Sequence, residues 1–329
     1  MLICKTTAEM HVASLNLRQS NRSLGLVPTM GALHAGHLSL VSAAQAQCDS
    51  VVVSIFVNPI QFGPNEDFDA YPRTFAADCE LLESAGVAAV FAPTAAEIFP
   101  PDNTTFVDTG DLGTRLDGAS RPGHFRGVAT IVARLFNIVQ PDRAYFGQKD
   151  AAQVAVLRRM TRDLNLPVAL TVCPILREAD GLAMSSRNRY LSSDERQRAL
   201  ILSRALADAE SLAQQGETRA EVIQSAILAT FAEDPDLRID YVAVVHPDTL
   251  LPVADITAGA LVAVAVWVGS TRLIDNLLLH PRPCIAMSLQ SIFLLLFVIP
   301  EGNLLLFLSG KDKRPVPSGE QSPDTGCVW

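Results

Sequence analysis

Two histidines three residues apart, His34 and His37, stand in the segment PTMGALHAGH. Three-residue spacing in a first helical turn puts both rings on one face. Gly31 and Gly36 let backbone approach a ligand closely. A helix start there would offer N–H groups and a favourable dipole to phosphate, and the imidazoles would add hydrogen bonds. A second segment, SIFVNPIQF, presents Asn58 and Gln61 just as an apolar run ends. Their amides suit hydroxyl and carboxylate groups without adding charge. A third, RPGHFRG at 121–127, is basic and glycine-rich. A fourth is FGQKD, with Gly147, Gln148, Lys149 and Asp150, followed by Gln153. Lys149 is a point charge suited to phosphate. In the fifth, READGLAMSSRN, Met184, Ser185, Ser186 and Arg187 offer hydroxyls and a guanidinium to a polyphosphate. Singly, the first reads ordinarily as a strand-to-helix turn with two incidental histidines, the second as an Asn-Pro turn, and the other three as solvated loops. Together they place His34, His37, Lys149 and Arg187 in separate Gly- or Ser-containing loops of an acidic chain, which a nucleotide pocket explains in one step.

Elements must hold these loops together. Leu24–Thr29 (LGLVPT), 51–57 (VVVSIFV) and, more weakly, 88–92 read as buried strands. Residues 38–47 and Phe75–Ser84 between them read as helices. Short apolar strands alternating with helices predict an α/β fold with a parallel sheet covered on both faces. Ligands bind at the carboxyl ends of such strands. Further on, Ser192 with Glu195 is a capping-box pattern opening a helix that should end near Gly216. Leu202, Leu206, Ala209 and Ala213 recur at helical spacing on its core face. Thr218 with Glu221 repeats the capping pattern. Residues 239–245 and 261–268 read as strands of a smaller second unit starting near Pro174.

Composition excludes several classes. The 329 residues carry 26 Lys and Arg against 35 Asp and Glu, a net charge of −9, with 49% hydrophobic residues. That is neither a disordered chain nor one that wraps nucleic acid on a basic surface. The six cysteines form no CxxC pair, so no zinc or redox motif is expected. No basic stretch followed by an apolar run opens the sequence, and the expected location is the cytoplasm.

The histidine turn resembles the HxGH signature of the adenylate-forming and nucleotidyl-transferring superfamily. The segments PTMGALHAGH, SIFVNPIQF, YPRTF, RPGHFRGVATIVARLFNIVQP, FGQKD, DGLAMSSRNRYL and RLIDN, in this order, resemble the pantothenate synthetase (pantoate–β-alanine ligase) family over residues 1–280. The resemblance implies a Rossmann-like domain over 1–173, a smaller α+β lid domain over 174–280, and a homodimer. It implies attack of pantoate carboxylate on the α-phosphorus of ATP, then attack of the β-alanine amine on the resulting pantoyl adenylate. On this resemblance Met30, Gly31, Ala32, Leu33, His34, Ala35, Gly36 and His37 form the ATP-binding turn, with His37 as proton donor and His34 neutralising phosphate. Gly147, Gln148, Lys149 and Asp150 form a nucleotide loop, Lys149 on phosphate and Asp150 on ribose. Leu176 offers backbone to adenine, and Met184, Ser185, Ser186 and Arg187 surround the triphosphate. Gln61 and Gln153 hold pantoate, with Asn58 beside them. Mg²⁺ would travel with ATP, and no protein ligand is assigned to it. Neither nucleic acid nor membrane is an expected partner.

The sequence departs from the family pattern at three places. Gln148 stands where Glu is common, Ala151-Ala152-Gln153 keeps one glutamine of a common pair, and His246 replaces a common acidic residue. The largest departure is the tail, 281–329, expected to be a poorly ordered appendage. Its apolar stretch 291–308 is interrupted by Pro300, Gly302 and Asn303, too short for a membrane span; its two pieces could pair as a hairpin. Truncation after His280 is expected to leave activity intact. Two other functions fit fewer features: a nucleotidyltransferase using the same HxGH turn, and a non-catalytic nucleotide-binding module.

Overall fold

A computed structural model describes residues 1–280 apart from positions 65 and 67. The expectations for 281–329 lie outside the described residues. The elements run β1 (Leu2–Cys4), α1 (Thr7–Leu17), β2 (Leu24–Thr29), α2 (Ala35–Gln45), β3 (Ser50–Ile55), α3 (Phe75–Ser84), β4 (Ala89–Phe91) and α4 (Ala95–Ile98). Then come α5 (Asp117–Ser120), α6 (His124–Val139), β5 (Arg143–Gly147), α7 (Ala151–Asp163) and β6 (Ala169–Cys173). The chain continues through α8 (Ser193–Ala199), α9 (Ile201–Gln215), α10 (Ala220–Phe231), β7 (Arg238–Val245), β8 (Ala260–Val268) and β9 (Thr271–Leu279).

The first six strands form a parallel sheet in the order β1-β4-β3-β2-β5-β6. Side chains alternate between its faces, as strand geometry requires. Leu24, Leu26 and Val52 join one core with α6 and α7, whereas Val27, Val51 and Val53 join another with Leu40 and Val41 of α2 and Leu82 of α3. Burial on both faces explains why these strands read as unbroken apolar runs. Chain order reverses between β2 and β5, so the loops leaving those two strands flank the switch point, where such sheets bind ligands. The turns carrying His34 and Lys149 are those loops.

β7, β8 and β9 form a separate antiparallel sheet. It packs with α9 and α10 around Leu202, Leu206, Ala209 and Ala213, the face read from the sequence. The described residues form one compact unit, within which β6 ends at Cys173.

The helix read at 38–47 runs Ala35–Gln45, because His34 caps it, and three further details differ from the sequence reading. β3 ends at Ile55, two residues early, because the chain must leave the sheet to make the Asn58-Pro59 turn. The helix opened by the Ser192 capping box is two helices, divided at Leu200, before its end at Gly216 (φ 115°). The Thr218 capping box does not form. Arg219 is the N-cap of α10, and the Glu217 carboxylate takes the Thr218 N–H.

Candidate functional site

The histidine turn is held from below and from within. Gly31 and Ala32 both have left-handed backbone (φ 82° and 51°). That conformation turns the N–H groups of Ala32 and Leu33 onto the buried Asp78 carboxylate of α3, at 3.0 and 2.9 Å. His34 then caps α2. Its Nδ1 accepts the Gly36 N–H at 3.1 Å, and His37 Nδ1 accepts the His34 N–H at 3.3 Å. This is a capping box made of two imidazoles, their ring centroids 4.1 Å apart.

Those bonds decide what the rings can do. A neutral ring that accepts at Nδ1 carries its proton on Nε2. Burial, and then the neighbouring His34, push the His37 pKa down to about 3. Burial, and then the Lys149 charge, lower that of His34. Both rings are therefore neutral Nε2–H donors, which corrects the expectation that His34 brings positive charge. The expected free N–H groups of the helix start are partly spent as well, since His34 Nδ1 takes that of Gly36 and the His34 carbonyl that of His37.

Positive charge comes from the neighbouring loops. Lys149, just past β5, is half-buried and has no carboxylate partner among the described residues. Arg187 lies in the 3-10 turn Ser186–Tyr190, where Ser185 Oγ accepts its backbone N–H at 3.3 Å. Below that turn, Glu178 accepts from Asn188 Nδ2 at 2.7 Å and pairs with Arg196 at 2.6 Å. A side chain at Gly36 would lie 3.6 Å from Met184 Cβ, so the histidine turn and the serine loop are neighbours.

Asn58 and Gln61 follow β3. Asn58 is 1% exposed and its amide is committed to protein. Nδ2 donates to Gln61 Oε1 and to the Gly127 carbonyl, both at 3.1 Å, and Oδ1 accepts from the Ile60 N–H. Asn58 thus positions Gln61 and is not an available substrate ligand, a correction to the sequence reading. The turn lies against α6 at Gly127, where a Cβ would collide with the Ile60 carbonyl and the Gln61 Cα.

Two adjoining cavities result. A small one of about 190 Å³ is walled by Met30, Asn58, Gln61, Phe62, Val128, Ile131 and Phe146. A large one of about 830 Å³ is walled by Lys149, Ser185, Asn188, Asp240, Trp267 and Arg272. Arg121, His124, Asp150, Gln153 and Arg187 line both. The turn residues Gly31, Ala32, Leu33, His34, Ala35, Gly36 and His37, side chains included, line neither, and nor do Gly147, Gln148, Leu176, Met184 and Ser186. The Leu176 carbonyl accepts from the Met184 N–H at 2.9 Å.

Sequence reasoning missed Asp78, Asp117 and the interior of RLIDN. Arg272 reaches Asp117 at 2.8 Å and Asp240 at 2.7 Å, tying β7 and β9 to α5. Each partner is far away in the chain, so spacing held no signal for these pairs.

A sequence profile described as pantoate-beta-alanine ligase matches residues 2–278. The chain belongs to that family. A pantothenate synthetase of Acidobacterium capsulatum is 62% identical over 262 residues, 80% of this chain and 88% of the relative. That of Koribacter versatilis is 56% identical over 280 residues, 85% and 96%. A solved pantothenate synthetase of Thermus thermophilus superposes with a TM-score of 0.81 at 48% identity, covering 85% of this chain and all of that one. The pantoate-beta-alanine ligase of Francisella tularensis, solved with beta-gamma ATP and beta-alanine, gives 0.68 at 32% identity, covering 84% and 97%. The activity of the chain is ATP-dependent ligation of pantoate to β-alanine, in pantothenate biosynthesis. No helix among the described residues is long and apolar enough to cross a membrane.

Proposed function

We propose that the small cavity takes pantoate, the large one takes ATP, and the shared wall at Gln153, Asp150 and Arg187 is where the two react. That shared wall is the observation on which the reading rests. Pantoate carries two methyl groups, two hydroxyls and a carboxylate. Val128, Ile131 and Phe146 suit the methyls, and the Gln153 amide suits the polar groups, as does the Gln61 Nε2 once it exchanges its weak acceptor, the Met30 sulfur at 3.0 Å, for a pantoate oxygen. The Gln153 side chain makes no hydrogen bond to the described residues, so its amide is available. Lys149 and Arg187 would hold the phosphates, and His34 and His37 would donate Nε2–H to them.

A pantoate carboxylate oxygen attacks the α-phosphorus, the bond to the bridging oxygen breaks, and pyrophosphate leaves. The β-alanine amine then attacks the acyl carbon, the bond to AMP breaks, and the nitrogen gives up a proton. No protein nucleophile is needed in either step. The chain supplies alignment and fixed donors where charge builds on phosphate oxygens. Neutral Nε2–H groups already bonded at Nδ1 need no reorientation as that charge appears. The unit 174–280 would close over the adenylate and keep water from it.

Mg²⁺ would arrive on the phosphates, where its charge offsets theirs. Among the described residues no three Asp, Glu, His or Cys side chains converge on a metal site, and Asp150, an exposed carboxylate on the shared wall, fits a nucleotide-borne ion. We further propose that the chain acts as a homodimer in the cytoplasm, which sedimentation and fractionation would check.

The test is exchange of labelled pyrophosphate into ATP. Exchange that requires pantoate, with pantothenate formed once β-alanine is added, is expected. Exchange without pantoate would instead indicate a nucleotidyltransferase, and no exchange a binding module.

A further inference from the structure

The RLIDN segment, Arg272 to Asn276, has a purpose that the reaction itself does not assign. We infer that Asp275 and Asn276 are positioning residues that set the spacing between the two anion-binding loops. The inference rests on the reading that Lys149 and Arg187 hold the triphosphate.

Both residues are buried, 3% and 4% exposed, in the middle of β9. Neighbours on a strand face opposite sides, so an adjacent pair can reach two different loops. Asn276 reaches the first. Its Nδ2 donates to the carbonyls of Gln148 and Lys149 at 3.0 and 2.9 Å, and its Oδ1 accepts from Gln148 Nε2 at 3.0 Å. A carboxamide alone among small side chains offers two donors and an acceptor in one plane. Asp275 reaches the second. Its two oxygens take both terminal nitrogens of Arg177 at 2.6 and 3.1 Å. Arg177 also donates to the Gly181 carbonyl at 3.1 Å and pairs by a β-bridge with Ala183, just before the Met184–Arg187 run.

The bridge between the loops is stiff. β9 is paired with β8 from Thr271 to Leu279 without a shift of register. The main chain at Lys149 and the base of the serine loop are thus pinned to consecutive residues of one strand. A polyphosphate held from two sides needs that separation fixed before it arrives. The Gln148 side chain belongs to the same cluster.

The experiment compares half-reactions in the full chain carrying Asn276→Ala. The KM for ATP should rise, and kcat/KM for ATP in pantoate-dependent exchange should fall roughly 10- to 100-fold, the effect of misplacing a contact by about an ångström. Aminolysis of pantoyl adenylate supplied ready-made should stay within about threefold, because no triphosphate is held in that step. Asn276→Ser keeps one donor and should lie between. Ile227→Ala, in the buried core on α10, lowers stability without touching either loop or the strand partners of Asp275 and Asn276, and should leave the KM for ATP alone. The inference is overturned if both half-reactions of Asn276→Ala fall by one factor, if its KM for ATP is unchanged, or if Ile227→Ala reproduces the ATP effect. Absence of pantoate-dependent exchange in the parent would instead overturn the functional reading.

Discussion

Asp78 and Ala32 lie 46 positions apart and meet at 3.0 Å, carboxylate oxygen to backbone N–H. With the Leu33 N–H and the Thr74 hydroxyl on the other oxygen, this contact holds a left-handed residue that is not glycine. Such backbone costs about 1–2 kcal/mol at a residue with a Cβ. Charge-assisted bonds from two consecutive N–H groups offset it. Asp78→Asn turns an NH2 group onto one of those donors. It should lose about 1–3 kcal/mol of stability. Because His34 and His37 follow directly, kcat/KM for ATP should drop roughly 10- to 100-fold. Urea unfolding and pyrophosphate exchange measure the two effects. Unaltered ATP kinetics would mean that the turn holds itself.

Gln153 stands on the wall common to both cavities and has its amide to spare. Gln153→Ala should raise the KM for pantoate at least about tenfold, the worth of one lost hydrogen bond to a charged group, and change the KM for ATP much less. Initial rates with each substrate varied would show it. A larger effect on ATP than on pantoate would reverse the assignment of the two cavities.

What the sequence displayed, and what it hid, divides by range. β2 is legible because six consecutive residues are apolar or small and all must be covered, and α3 because its apolar spacing is local. The Ser192 capping box is legible because both partners lie within one turn. The division at Leu200 has no Gly or Pro to mark it. Asn58 looked like a ligand from its type and place, yet its donors go to Gln61 and Gly127, and only the fold brings Gly127 there. The same holds for Asp78 under Ala32 and for Asn276 under Lys149. Motif residues announce what a ligand needs, whereas the residues that aim them are chosen by tertiary contacts.

Gly127 gives a test of that aiming. Its hydrogen occupies the space where α6 meets the 59–61 turn, and a methyl there meets backbone that cannot swing away. Gly127→Ala should destabilise by about 1–3 kcal/mol, as overpacking does. The displaced turn carries Gln61, so the KM for pantoate should rise with it. Thermal melts and pantoate titrations together check this. A destabilised variant with unaltered pantoate kinetics would separate Gln61 from the packing of α6.

Two histidines should make the protein acid-sensitive. Burial, then His34, hold His37 near a pKa of about 3, and burial, then Arg121, hold His124 near about 4. In the unfolded chain both titrate near ~6.5. Between those values the unfolded state binds protons that the folded state refuses, so acid favours unfolding. Stability contributed by the two rings is complete above about pH 6.5 and falls as pH drops, by up to about 1.4 kcal/mol per pH unit for each ring. His37→Asn keeps an acceptor near the Nδ1 position for the His34 N–H but cannot titrate. Urea unfolding between about pH 4.5 and 8 should give a shallower slope for this variant and a similar plateau. Its exchange rate should nonetheless fall on the order of 100-fold, because the Nε2–H that the proposed function places on phosphate is gone. A parent slope of zero across that window, or a variant slope equal to the parent's, would mean that His37 is protonated in the folded protein and acts as a cation.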